Sequence, residues 1–180
     1  MTSATIERVE TPRTVCERMR MEHLDDMLRL LRDPRVADYL WHGTGVPSEQ
    51  EVIDATLDKE RHWERYGFGL WVQRERDSGK IVGRGGLQWT HVVDCNEVEV
   101  AWVVDPERWG QGFATELAEA SIEAAFGALG LGEIVAFALP HNVASRRVME
   151  KTGFAYDREI SYAGHPHVLY RLRAEDRRSR

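Results

Sequence analysis

Apolar residues recur at two spacings along this chain, and the places where the spacing changes mark out its elements. Residues 14–19 alternate loosely, as a strand does, whereas residues 21–32 place Leu24, Met27, Leu28 and Leu31 on one helical face. Residues 34–47 carry Gly43, Gly45 and two prolines and read as loop. A second helix is predicted over 48–66, where Ser48 and Glu51 have the spacing of a capping box and Val52, Ile53, Leu57 and Trp63 form an apolar stripe. The β-rich runs 68–74 and 81–89 flank Asp77, Ser78 and Gly79, which predicts a hairpin, and 97–104 is a further strand. A helix over 112–129 buries Leu117, Ala118, Ile122, Ala125 and Phe126 and is closed by Gly127 and Gly130. Residues 133–139 form a short apolar strand. Asn142 then caps a helix through Lys151, with Val143, Val148 and Met149 apolar and Gly153 as its terminal glycine. Strands over 154–162 and 167–172 follow, and the arginine-rich tail 171–180 is expected to fray.

The order is strand, two helices, three strands, helix, strand, helix, two strands. That is a mixed α/β (α+β) plan in which helices cross over between the later strands. Its 180 residues suit one domain, with no internal repeat or linker. Lys and Arg number 24 against 30 Asp and Glu, a net charge of −6, which disfavours nonspecific nucleic-acid or membrane binding and suits a basic substrate. Cys16 and Cys95 form no CxxC or CxxH pattern, so neither a zinc site nor a disulfide framework is expected. Residues 1–10 contain no apolar leader core, and no run of about 18 apolar residues occurs. A cytoplasmic protein is the expectation.

Chemistry concentrates in VEVAWVVDPERWGQGFAT, residues 98–115: a strand, a proline-containing turn and a glycine-rich entry into a helix. Gly110 and Gly112 let backbone approach an anion, and the free N–H groups of a first helical turn favour phosphate or pyrophosphate. A P-loop is excluded because no Lys follows the glycines, and a dinucleotide fold because GxGxxG is absent.

Here the chain resembles the GNAT acetyltransferases, and their RimJ/RimL-like branch in particular. DPERWGQGFATEL, residues 105–117, is similar to that branch's form of the pyrophosphate loop, and PHNVASRRVMEKTGF, residues 140–154, to its asparagine helix and Gly-Phe strand. The resemblance spans about residues 10–173. It implies a mixed sheet splayed between the fourth and fifth of the strands above, helices on both faces, and acetyl-CoA in the opening as cosubstrate with no metal.

By that resemblance Gln111, Gly112, Phe113, Ala114 and Thr115 hold the pyrophosphate through their amides, with Gly110, Val103 and Val104 beside them. Trp109 stands where the superfamily often has Arg or Gln, so packing is expected of it. The amide of Val103 is the implied oxyanion donor, and Glu99, mid-strand, the implied general base acting through water. Glu97, nearer the strand edge, is expected to be solvated. Asn142 would face the pantetheine amides and Ser145 the sulfur, three residues apart on one helical face. Met149 occupies the position of the family's usual tyrosine acid, which leaves Ser145 or water to protonate the thiolate. Tyr39, Trp41, His42 and the loop near His165 are acceptor-site expectations. His165 and His167 lack a third metal ligand, His141 is expected to cap the cofactor helix, and Cys95 has no His partner that would make it a nucleophile.

The function so implied is acetyl transfer onto an amine, with a protein or peptide N-terminal α-amine first. A small-molecule amine, antibiotic or polyamine, and a non-catalytic CoA sensor are the alternatives. No nucleic-acid or membrane partner is expected, and a homodimer is left open.

Overall fold

The computed structural model describes residues 6–41, 45–92 and 95–178, so His42 lies outside the described residues. The chain forms β1 (Arg8–Glu10), β2 (Thr14–Arg18), α1 (Leu24–Leu31), α2 (Pro34–Leu40), α3 (Glu49–Tyr66), β3 (Leu70–Glu75), β4 (Ile81–Val92) and β5 (Cys95–Val104). Then come α4 (Phe113–Glu123), β6 (Glu133–Ala138), α5 (Val143–Lys151), β7 (Ala155–Tyr162), β8 (His165–Arg173) and α6 (Ala174–Arg178). One mixed sheet runs in the order β1-β2-β3-β4-β5-β6-β8-β7. All neighbours are antiparallel except β5 and β6, which are parallel and register only at Glu99 and Val135. This is the splay expected between the fourth and fifth strands of the sequence; β1, too short for a periodic signal, shifts the count by one.

Strand alternation divides the core. Val98 and Val100 pack with Leu87, Leu117, Ile122, Ile134 and Met149 under α4 and α5. On the other face Val103 meets the cluster of Met27, Leu30, Leu31, Val52 and Val72 that seats α1 and α3. Among the described residues no helix is long and apolar enough to cross a membrane.

Two expectations are corrected. Residues 34–40 are helix, not loop: Asp33 caps α2 by accepting from Arg35 N–H at 2.9 Å, Pro34 takes the first helical position, and Val36 and Ala37 are buried. Proline there opens a helix, since its missing N–H would have had no partner and its φ is already helical. Asp33→Ala is expected to cost about 1 kcal/mol and lower Tm by about 2–4 °C, read by thermal denaturation. The tail is also tied down. Arg171, only 13% exposed at its side chain, binds Glu97 at 2.9 Å, Glu133 at 2.9 Å and Asp157 at 3.2 Å. Arg177 of α6 reaches Glu119 and Glu123 on α4. Glu97, expected in water, is therefore half of an ion pair.

Candidate active site

Beyond Glu99 and Val135 the two strands part, and a cleft of about 610 Å³ opens between them. Its walls come from β4, β5 and β6, from α2 and α3 on one face, and from the start of α4 and the length of α5 on the other.

Backbone direction in β5 follows from its pairing with β4. Asp105 N–H donates to Val82 O at 2.8 Å, and the register runs unbroken from Gly83–Val104 to Val92–Cys95. In an antiparallel pair successive residues turn their N–H groups alternately toward and away from the partner. Val103, two residues from Asp105, therefore turns its N–H to β4, and the N–H groups of Trp102 and Val104 face the cleft. Two contacts agree. A Cβ on Gly83 would lie 2.7 Å from Val103 O, so that carbonyl faces β4 as well. The Val104 carbonyl, turned the other way, accepts from Trp109 Nε1 at 2.8 Å. The Val103 amide, expected to face the cleft, is thus turned into the sheet, and the amides that face the cleft are those of Trp102 and Val104, although the Val103 residue lines the cleft.

At the cleft's wide end Gly110 (φ 74°) and Gly112 (φ 85°) adopt the left-handed backbone that glycine tolerates. A Cβ on Gly110 would meet nothing within 4 Å, and one on Gly112 only Arg13 Nη2 at 3.5 Å. No side chain caps α4, so the N–H groups of Phe113, Ala114 and Thr115 point out at the positive end of the helix dipole. This open, amide-lined cradle fits a pyrophosphate. Gln111 does not line it: its carbonyl accepts from Arg13 Nη1 at 2.9 Å and its side chain donates to Glu107 O at 3.0 Å. Trp109, 46% exposed, is held by its indole bond and by Tyr39, edge-on at 6.3 Å. On α5 Asn142 is the N-cap, accepting from Ser145 N–H at 3.1 Å, and Ser145 lines the cleft above buried Met149.

Glu99 is 7% exposed at the last point where β5 and β6 touch. Burial pushes its pKa up; a hydrogen bond from Gln88 Nε2 at 2.8 Å and the charges of Lys59 and Arg84 oppose that rise. Lys59 of α3 is driven down by burial and then by Arg84, and Arg84 is pushed down to about 10 by burial, which leaves its guanidinium charged at neutral pH. Among the described residues five basic side chains, Lys59, Arg84, Arg108, Arg147 and Lys151, line the cleft against the carboxylate of Glu99. The sign of the cleft opposes the chain's net charge of −6.

Of the expected acceptor residues, Tyr39 lines the cleft, with His141 6.0 Å away; Trp41 and His165 do not. His167 does, beside Phe137 and Tyr162. Sequence reading missed Lys59, Arg84, Gln88, Trp102, Phe137, Tyr162, Arg147 and Lys151. Arg84 carried a usable signal: it is the one charge in the run Ile81–Leu87, where a strand buried on both faces should have none. Among the described residues no cluster could hold a metal ion.

An amide-lined cradle at a helix N-terminus, a split sheet and a buried carboxylate at the split fit an acyltransferase that takes its acyl group from a CoA thioester. The family model described as "Acetyltransferase (GNAT) domain" matches residues 13–155, and the chain belongs to that family: it is an acetyl-CoA-dependent N-acetyltransferase. It is 26% identical over 162 residues to the uncharacterized protein YkkB of Bacillus subtilis (strain 168), covering 87% of this chain and 92% of that one. Its fold is similar to an acetyltransferase from Agrobacterium tumefaciens str. C58, with TM-score 0.79, 21% identity and coverage of 93% and 94%. It is also similar to RimL, a ribosomal L7/L12 alpha-N-protein acetyltransferase solved in complex with coenzyme A, with TM-score 0.74, 16% identity and coverage of 94% and 99%.

Proposed function

We propose that the protein moves the acetyl group directly from acetyl-CoA to an acceptor α-amine, with Glu99 as general base. The observation that carries this reading is the buried carboxylate of Glu99, more basic than an exposed one, in the same cleft as the cradle at the start of α4. In this reading Glu99 takes the amine's proton through water while the nitrogen bonds to the thioester carbon. The amide of Trp102 or Val104 steadies the oxyanion, and the C–S bond then breaks. The thiolate receives its proton from Ser145 or water, which a thiol of pKa ~8.5 tolerates. Cys95 is exposed and outside the cleft, and the thiol of Cys16 is fully buried and pushed up to about 11, so a covalent acetyl-enzyme has no support.

An α-amine of pKa ~7.7–8.0 is partly neutral at pH 7.5, whereas a Lys-like amine of ~10.4 needs about 4 kcal/mol for deprotonation. A site with one base, and with Met149 at the position of the family's usual tyrosine acid, suits the former. A peptide N-terminus supplies such an amine, and the likeness to RimL supports that source. A small-molecule amine is the second reading, favoured by the charges enclosed around Glu99; polycations such as polyamines are disfavoured by the cleft's excess of Lys and Arg. Thiol release from acetyl-CoA against a panel of peptides and small amines tests the reading. Turnover with an α-amine is expected, and CoA binding without turnover on any amine would leave a sensor instead.

A further inference from the structure

We propose that the acceptor is a free α-amino acid with an apolar or aromatic side chain, its carboxylate held by Arg84 and Lys59 while its amine faces Glu99. This rests on the acetyl-transfer reading just given, in its second, small-molecule form, and names its substrate class.

Three ionisable groups meet on one face of the split sheet. Glu99 registers opposite Gln88, and Val103 opposite Arg84, so Arg84, Gln88 and Glu99 project to the same side. Lys59 comes down on that side from α3. Among the described residues the side chains of Arg84 and Lys59 make no hydrogen bond and no ion pair, and Arg84 Nε is sealed from solvent without a partner. The Arg84 guanidinium thus stands in a half-buried pocket with an unmatched buried donor, which is costly. An anion is the missing partner. A zwitterion fits better than a simple anion, because the carboxylate of Glu99 stands beside the cations and calls for an ammonium.

The CoA phosphates are not that anion. Their cradle stands over the other face of β5, where Val104 packs on Phe113, while Val103 and Arg84 face α1 and α3. Arg108 is already bound to Glu75 at 2.9 Å, and Arg147 and Lys151 are exposed on α5. Across from the cations, Phe137 and Tyr162 pack at 4.7 Å with His167 edge-on to both at 5.7 Å. That ring wall lines the cleft and offers a surface for an apolar side chain. Removing α-carboxylate from the acceptor would strand Arg84 again, which is how a polar pocket rejects an analogue lacking the polar group.

The test compares phenylalanine, phenylalaninamide and a phenylalanine-initiated peptide amide with an acidic second residue, at saturating acetyl-CoA. The wild-type kcat/KM is expected to favour the free acid over the amide by about 10- to 100-fold, and Arg84→Met to bring that ratio near one with KM for acetyl-CoA unchanged. Arg84→Lys should restore part of the preference. Equal use of acid and amide by the wild type overturns the proposal, as does preference for the peptide. So does an Arg84→Met variant that slows every acceptor alike and moves the pH profile, since Arg84 would then only tune Glu99. Absence of thiol release with all three, while another amine is turned over, overturns the proposal; absence with every amine tested sinks the acetyl-transfer reading rather than this one. Calorimetry with CoA present then decides: binding of phenylalanine over its amide, lost in Arg84→Met, upholds the carboxylate site, and equal or no binding overturns it.

Discussion

Glu99→Gln is expected to lower kcat by about 10²- to 10⁴-fold while the CoA dissociation constant stays within error. Glutamine keeps the shape of the side chain and can still accept the hydrogen bond from Gln88, so packing is preserved and only the basic oxygen is lost. The pH profile carries the sharper signature. A general base works when deprotonated, so wild-type activity falls as pH drops through the Glu99 pKa. Burial sets that limb above the ordinary carboxylate range. In Glu99→Gln this limb disappears, and the residual rate rises with pH only as the acceptor amine loses its own proton. The deficit is therefore largest above the Glu99 pKa, where the wild-type base is ionised, and narrows below it, where neither enzyme has a working base. A pH–rate profile with its acid limb intact would return Glu99 to a structural role.

Gly112→Val is expected to weaken CoA binding by at least about 100-fold, measured by calorimetry. Two effects are separable. A φ of 85° strains any β-branched residue by about 1–2 kcal/mol, and the new side chain enters the space in front of the α4 amides. Protein atoms hardly resist it, since only Arg13 Nη2 comes within 3.5 Å of the Cβ position. The folded protein thus bears the strain while the ligand bears the collision. Gly79→Val is the control: its φ of 69° imposes similar strain at the β3–β4 turn, with nothing within 4 Å and no cleft nearby, so stability should fall and CoA affinity should not. Equal CoA affinity in Gly112→Val and wild type would remove the cradle from this helix.

The parts of the site legible in the sequence are those built by local chain. Gly110, Gly112 and the helix after them make their cradle from consecutive backbone, and Asn142 caps its own helix, so spacing alone displayed both. Glu99 was legible as a carboxylate inside an apolar strand. Its neighbours were not, because Lys59 and Arg84 reach it from α3 and β4, and which side chains share a face across strands is fixed by register rather than by spacing. The same blindness hid which amides of β5 face the cleft: parity along the strand is set by Asp105 bonding to Val82, a contact with no trace in either residue's type. The loop expected at 34–40 failed for a different reason. Pro34 was read as a breaker, although Asp33 before it made it a helix start.

Arg171 gives the split sheet a mechanical character. Its guanidinium reaches four carboxylate oxygens on three strands, from Glu97 of β5, Glu133 of β6 and Asp157 of β7. It does so just behind Glu99–Val135, the point from which the strands diverge. A fork in a zipper travels unless something pins it, and here the pin is a many-toothed rivet on the closed side. Force applied at the mouth, by a thick acceptor or by a departing acetylated product, is then borne as flexing of the paired halves β4–β5 and β6–β8 rather than as further unzipping. The aperture can breathe while its apex, and with it the carboxylate of Glu99, keeps its position.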